Sequence, residues 1–340
     1  MRPRTHRRCT IAITLSLCLA ACATPHLQQA GSHRQAPALR GGYAVMDDGY
    51  RLPMRVWRPR GNPCCVVLAL HGFNDYSNAF ASVGPAFAAY GIITYAYDQR
   101  GFGATAQRGL WPGAERLVDD LTTMARLVRQ AHPQLPLYLL GESMGGAVVM
   151  RAVTEERPLS PAGIVLIAPA VWGRNTMPFL QRAALWVGVH TVPQREVTAK
   201  GLDITPSDNK EMLRALGRDP LVIKRTRIDT LYGLTNLMDA ALAASPSLAT
   251  PALVLYGKHD EIIPRRPTCR MLAQFSPSRT QSQRLAVYPN GYHMLTRDLQ
   301  SQVVLADIAT WIRDPDAPLP SGEEIDREET ALPDFCKGRL

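Results

Sequence analysis

The run Leu137-Tyr138-Leu139-Leu140-Gly141-Glu142-Ser143-Met144-Gly145-Gly146-Ala147-Val148-Val149-Met150 reads as three things in succession. Leu137 to Leu140 is a short apolar block of the kind that forms a buried strand, and Ala147 to Met150 opens a helix. Between them lies a Gly-x-Ser-x-Gly turn. Strand, turn and helix in that order make a nucleophile elbow, in which the chain reverses so sharply that the neighbours of the serine need glycine's freedom. The turn would hold the Ser143 oxygen above the sheet edge, within reach of a substrate carbonyl. A glycine-lined contact between helix and strand with an incidental serine would show the same five residues. The flanking elements favour the elbow.

Three further segments extend the pattern on both sides. Val66 to Phe73 is a strand that ends in His71-Gly72. Ala252 to Asp260 is a second buried strand that runs into Gly257-Lys258-His259-Asp260, and an acid belongs at such a strand end. Asp260 is the candidate; Glu261 is the neighbour that would displace it, and a plain surface charge is the competing reading. Leu285 to Tyr288 is a third strand, followed by a loop that carries His293. The order Ser143, Asp260, His293 is the order in which a serine, its orienting acid and its base follow one another in this strand–turn–helix class. His71 precedes the serine and fits a loop-orienting role better than that of a base. His259, adjacent to the acid, is poorly placed to serve a serine on another strand. The chemistry requires all three groups. A serine hydroxyl is a weak nucleophile, so His293 must accept its proton and Asp260 must hold the imidazole and stabilise its charged form.

These residues resemble the monoacylglycerol lipase and lysophospholipase-type α/β-hydrolases, grouped with the serine aminopeptidase-like hydrolases. The resemblance spans about residues 42 to 313. It rests on His71-Gly72, Asp98-Gln99-Arg100-Gly101-Phe102-Gly103, Gly141 to Gly146, Gly257 to Asp260 and Tyr292-His293. It implies an α/β fold with a mostly parallel sheet flanked by helices, and an oxyanion hole made by the backbone N–H groups of Phe73 and Met144. It also implies acyl transfer through an acyl-enzyme, with no cofactor. Two positions depart from the family. Glu142 stands where histidine usually precedes the nucleophile, and Met294 where an acidic residue often follows the final histidine.

Other classes fit less well. Gly101 to Ala106 matches a relaxed dinucleotide fingerprint, but Gln107 to Gly113 continues with two glycines and a proline, a loop where a fingerprint needs a helix. No metal-ligand spacing is present, so the expected metal set is none. The formal charge of +9 is carried partly by the first eight residues. No arginine-rich helix interleaved with aromatics points to nucleic acid, so that partner is not expected. A modest attraction to anionic headgroups is the more natural consequence.

The N-terminus reads as an export signal. Arg2, Arg4, Arg7 and Arg8 precede a short apolar core from Ile11 to Leu19, too short to span a bilayer. Leu19-Ala20-Ala21-Cys22 resembles a bacterial lipobox, which implies removal of residues 1–21 and lipid attachment at Cys22. An ordinary signal cut near Ala23 is the alternative. Ala23 after the cysteine implies outer-membrane delivery, with the protein anchored and facing the periplasm. Cys64, Cys65, Cys269 and Cys336 then allow three complete pairings. Adjacent Cys64 and Cys65 would strain to bond each other, and a bridge from Cys336 to either of them would pin the C-terminal tail.

Residues 22–41 are polar and lack any period, as expected of a tether. One domain follows over 42–315, opening with a hairpin around Asp47-Asp48-Gly49, and 316–340 reads as an acidic tail. Leu117, Leu121, Met124 and Val128, and again Val304, Ile308, Trp311 and Ile312, recur at helical spacing. After the sixth strand, Ile164 to Ala168, a helical segment over about 171–247 takes the place of a cap. Trp172 and Phe179 are its candidates for a substrate wall. The expected substrate is a single-chain lipid or small ester. Peptidase or amidase chemistry on the same triad, and a tethered scaffold without turnover, are the alternatives.

Overall fold

The computed structural model describes residues 24–275, 282–326 and 331–339. Eleven strands are formed among the described residues. They are β1 (Ala38–Arg40), β2 (Tyr43–Val45), β3 (Arg51–Trp57), β4 (Cys65–Leu70), β5 (Ile92–Tyr97), β6 (Leu137–Glu142), β7 (Gly163–Ile167), β8 (Glu196–Val197), β9 (Thr226–Arg227), β10 (Ala252–Gly257) and β11 (Gln283–Tyr288). The described α-helices are α1 (Val83–Ala89), α2 (Ala114–Ala131), α3 (Met144–Ala152), α4 (Phe179–Thr191), α5 (Lys210–Arg218), α6 (Ile228–Ala244), α7 (Arg265–Gln274), α8 (Ser301–Arg313) and α9 (Ala331–Lys337).

Nine strands form one sheet in the order β1-β2-β3-β5-β4-β6-β7-β10-β11. From β5 to β11 every pairing is parallel, and β1 to β3 add an antiparallel flank. A parallel sheet covered on both faces needs apolar residues at successive positions, which is why its strands show no polar alternation. In β4, Val66, Leu68 and Leu70 face a layer built on α2, α3, α6 and α7, while Cys65, Val67 and Ala69 face α1 and α8. The α2 and α8 stripes expected from helical spacing are buried along those faces. This is the α/β-hydrolase architecture, and it brings the loops after β4, β6, β10 and β11 to one edge, where ligands of open α/β sheets bind.

Four expectations are corrected. Residues 24–41 are not a free tether. His26 N donates to Asp229, the Gln28 amide bonds Tyr50 and the Ala106 carbonyl, and Ala38 to Arg40 pair with β2. The polar residues of this segment encode docking instead of solvation, and β1 makes the strand before the cap the seventh. The tail is not loose either. Residues 323–325 hydrogen-bond to β11, Arg284 pairs with Glu324, and Phe335 is buried against Tyr256. β11 is an edge strand, and its open backbone groups require such cover.

Cys336 pairs with Cys269 on α7, not with Cys64 or Cys65. Those two lie at the start of β4 with free thiols 3.1 Å apart, while α9 lies beside α7. Finally, the inserted segment is not wholly a cap. It includes the β8–β9 ribbon, and α6 sends Leu237, Met238, Ala241 and Leu242 into the main core against α3.

Candidate active site

Ser143 sits at the N-cap of α3 with φ 53° and ψ −115°, a left-handed conformation unusual for a non-glycine residue. Hydrogen bonds over-determine the turn. Ser143 N donates to the Ile167 carbonyl, and Ala147 N and Ala170 N donate to the Ser143 carbonyl. The glycines are required by contact. A Cβ on Gly141 would stand 2.5 Å from the Gly145 backbone, and one on Gly145 would stand 2.2 Å from the Leu70 carbonyl oxygen.

The loop after β4 meets this turn from the side. A Cβ on Gly72 would lie 3.3 Å from Ser143 Cβ, so the backbone leading into Phe73 runs beside the serine. Met144, the first residue of α3, is buried, and a helix N-terminus leaves its early N–H groups without intrahelical acceptors. The backbone leading into Phe73 and the helix start at Met144 thus both lie beside Ser143.

His71 is fully buried and does not act as a free base. Gln99 N donates to its Nε2 at 2.9 Å, which leaves Nδ1–H to donate to the Gly72 carbonyl at 2.8 Å. Burial lowers its pKa and keeps the ring neutral. The Asp98 to Gly103 motif is the scaffold beneath it. Asp98 accepts from Ser77 N and Ala104 N, and the Gln99 side chain donates to the His71 carbonyl. Arg100 lies between Asp48 and Asp120, with its guanidinium 3.9 Å from the Tyr50 ring centroid. Residues 105–110, which follow, form turns and not a helix.

Asp260 follows β10. Its Oδ1 accepts from Ile262 N and Ile263 N, and its Oδ2 lies 2.8 Å from His293 Nδ1. Beside a carboxylate Nδ1 is the protonated nitrogen, which leaves Nε2 with its lone pair. Burial opposes the charged imidazolium, but Asp260, through its charge and hydrogen bond, and Glu142 more than offset it, so the pKa of His293 is raised. The competitors are placed elsewhere. Glu261 is exposed and accepts from Thr205 N of the inserted segment, and exposed His259 stacks on Tyr292.

The sequence reading missed the ion network beneath these loops. Arg297 bonds Asp75 and Glu142, and Thr296 also reaches Glu142. No motif marks Arg297 or Asp75; the only signal was the unusual Glu142. Of the wall candidates, Trp172 packs at the edge of the core, while Phe179 is 74% exposed. Phe179 belongs instead to an exposed apolar strip on α4 with Leu180, Trp186 and Val187. Cys22 lies outside the described residues. Among those residues no group of His, Cys, Asp and Glu could hold a metal ion.

Comparison with known proteins is consistent across sequence and structure. Residues 61–300 match the family described as serine aminopeptidase, S33. A monoacylglycerol lipase of Mycolicibacterium smegmatis is 30% identical over 272 residues, which are 78% of this chain and 93% of the relative. A monoglyceride lipase of Rattus norvegicus is 27% identical, over 79% of this chain and 89% of the relative. Among solved structures, a monoacylglycerol lipase of Paleococcus ferrophilus gives a TM-score of 0.64 at 21% identity, covering 77% of this chain and 98% of the other. A soluble variant of monoglyceride lipase from Saccharomyces cerevisiae, in complex with a substrate analog, gives 0.69 at 19% identity over 87% and 100%. At these identities the structural likeness shows the fold.

Proposed function

The chain belongs to the serine aminopeptidase S33 family of hydrolases, and from that premise we propose that it cleaves esters of single-chain lipids, monoacylglycerols or lysophospholipids, through an acyl-enzyme. Its relatives make it a lipolytic α/β-hydrolase and a serine ester hydrolase. The observation that carries the mechanism is the buried His293–Asp260 pair on the same sheet edge as the strained Ser143. His293 Nε2 takes the Ser143 proton as Oγ attacks the ester carbonyl. The Phe73 and Met144 N–H groups receive the developing oxyanion, where one such donor typically contributes about 2.7–4 kcal/mol. His293 returns the proton to the leaving alcohol, and water then releases the acid by the same route in reverse.

Two features support a lipid substrate. The curated relatives carry the names monoacylglycerol and monoglyceride lipase. The strip Phe179, Leu180, Trp186 and Val187 repeats at helical spacing on one face of α4, a surface suited to an apolar interface. We further propose export and lipid attachment at Cys22, with the enzyme held at the outer membrane facing the periplasm. The Cys269–Cys336 disulfide fits an oxidising compartment. Among the described residues no helix is long and apolar enough to cross a membrane. Intact-mass analysis of protein from membranes reads the anchor directly: a lipid-modified Cys22 at the N-terminus is expected, and an unmodified residue near Ala23 at the N-terminus contradicts it.

A graded ester series, run beside Ser143→Ala, tests the substrate. Serine-dependent activity that rises from short esters to long-chain monoacylglycerol or lysophospholipid is expected. Activity confined to short esters removes the lipid assignment. The family description favours one second reading, aminopeptidase action, and hydrolysis of aminoacyl amides at rates comparable to esters would support it. Absence of serine-dependent turnover on every substrate would leave a scaffold.

A further inference from the structure

Arg297 lies four residues after His293, yet its guanidinium reaches two other loops. Nη1 is 2.7 Å from Asp75 Oδ2, two residues beyond Phe73, and Nη2 is 2.8 Å from Glu142 Oε1, the residue before Ser143. All three side chains are nearly closed from solvent. One cation therefore joins the loop of the base, the loop of the oxyanion donor and the elbow itself. A tight turn transmits the connection to His293, since Arg297 N and Asp298 N both donate to the Met294 carbonyl. On the far side Asp298 accepts from Tyr292 N and from Ser207 of the inserted segment, and Asn209 donates to the Arg297 carbonyl.

Electrostatics gives the network a second task. Glu142 sits against the turn where an oxyanion must form, and a bare buried carboxylate there would oppose that charge. We propose that Arg297 is a positioning residue, which locks the His293 loop in register with the elbow and the oxyanion loop and neutralises Glu142 beside the nucleophile. This rests on the reading of Ser143, His293 and Asp260 as a working triad. Among the described residues Arg297 Nε has no hydrogen-bond partner, so this guanidinium is not placed for the fullest satisfaction of its own donors.

The charged groups around His293 are Asp260 on the β10 loop, Glu142 on the elbow and Arg297 on its own loop; Asp75 faces Arg297 from the β4 loop, and Asp298 lies beside it. Asp260 and Glu142 favour the imidazolium, while Arg297 disfavours it. Loss of the Arg297 charge thus makes His293 easier to protonate, and loss of the Glu142 charge makes it harder.

The test is the pH profile, kcat, KM and thermal midpoint for a short-chain ester, on wild type, Arg297→Met, Glu142→Gln, the double variant and Ser143→Ala. Arg297→Met is expected to lower kcat on the order of 10²-fold, as a displaced catalytic group does, with KM little changed. Its acid limb moves to higher pH. Glu142→Gln moves that limb to lower pH, and the double variant recovers part of the kcat lost in Arg297→Met. Wild-type kcat with an unmoved limb in Arg297→Met overturns the proposal, as does a double variant no faster than the single. Where Arg297→Met does not fold, Glu142→Gln decides, and an unmoved limb there overturns it. Ser143→Ala with full turnover would sink the triad reading itself. An inactive Ser143→Ala beside an unaffected Arg297→Met would sink this inference alone.

Discussion

His293 Nδ1 lies 2.8 Å from Asp260 Oδ2, while the other oxygen of that carboxylate is held by the N–H groups of Ile262 and Ile263. The acid is thus fixed by its own loop and orients the histidine with its free side. Asp260→Asn keeps an oxygen for the two N–H groups and presents an N–H donor to Nδ1. The ring then adopts the wrong tautomer. We expect a folded protein with kcat lowered by about 10⁴-fold, the cost known for such a replacement. Thermal melting with steady-state ester kinetics checks it; a loss below tenfold would contradict the assigned role.

The raised pKa of His293 gives a pH dependence. A base must be neutral to act, so the acid limb of kcat/KM in the wild type should lie above pH 6.5, the ordinary histidine value. The sign for stability is opposite in sense. The charged pair with Asp260 contributes fully below the unfolded-state pKa, and that contribution is lost as pH rises through the folded value. Melting curves across that range, on wild type and on His293→Gln, should show the difference between them shrinking as pH rises. A limb at or below 6.5 would contradict this.

Gly145 tests the elbow's packing. A methyl group there would stand 2.2 Å from a backbone oxygen of β4, which has no rotamer to yield. Gly145→Ala should cost at least about 1–3 kcal/mol, the range for overpacking, and should depress activity by displacing the α3 N-terminus. Urea unfolding measures the first and ester hydrolysis the second. A variant with wild-type midpoint and rate would show that the turn is looser than described.

Arg100 tests the scaffold beneath the oxyanion loop. It is bonded to Asp48 and Asp120, and all three are buried. Burial alone would raise the Asp48 carboxyl, but the Arg100 hydrogen bond, the Gly31 and Tyr50 N–H groups and the Arg100 charge hold it at about 2. Arg100→Met strands both carboxylates, and the expected loss is about 3–5 kcal/mol by urea denaturation. A loss under about 1 kcal/mol would mean that the ion cluster contributes nothing net.

Much of this was legible in the sequence because it depends on local pattern. The elbow, the buried strands before Asp260 and His293, and the helical stripes of α2 and α8 are each written in consecutive or periodic residues. What was not legible depends on distant partners. Gln28 and His26 look like solvated tether residues until Tyr50 and Asp229 supply their hydrogen bonds. Cys336 reads toward Cys64 or Cys65 in the sequence, and the packing of Phe335 on Tyr256 sets α9 beside Cys269 instead. Arg297 is one arginine among many until Asp75, 222 residues away, and Glu142 converge on it. Phe179 shows the same limit from the other direction, since an apolar residue on a cap helix carries no sign of which side it faces.

The central claim is that Ser143 is a nucleophile activated by His293. Its most direct measurement is labelling of the purified protein with a fluorophosphonate, followed by peptide mass analysis of wild type, Ser143→Ala and His293→Gln. The account predicts one phosphonyl adduct on the peptide that contains Ser143, absent in Ser143→Ala and strongly slowed in His293→Gln. Folded wild-type protein that takes no label, or that carries it on another residue, would contradict it.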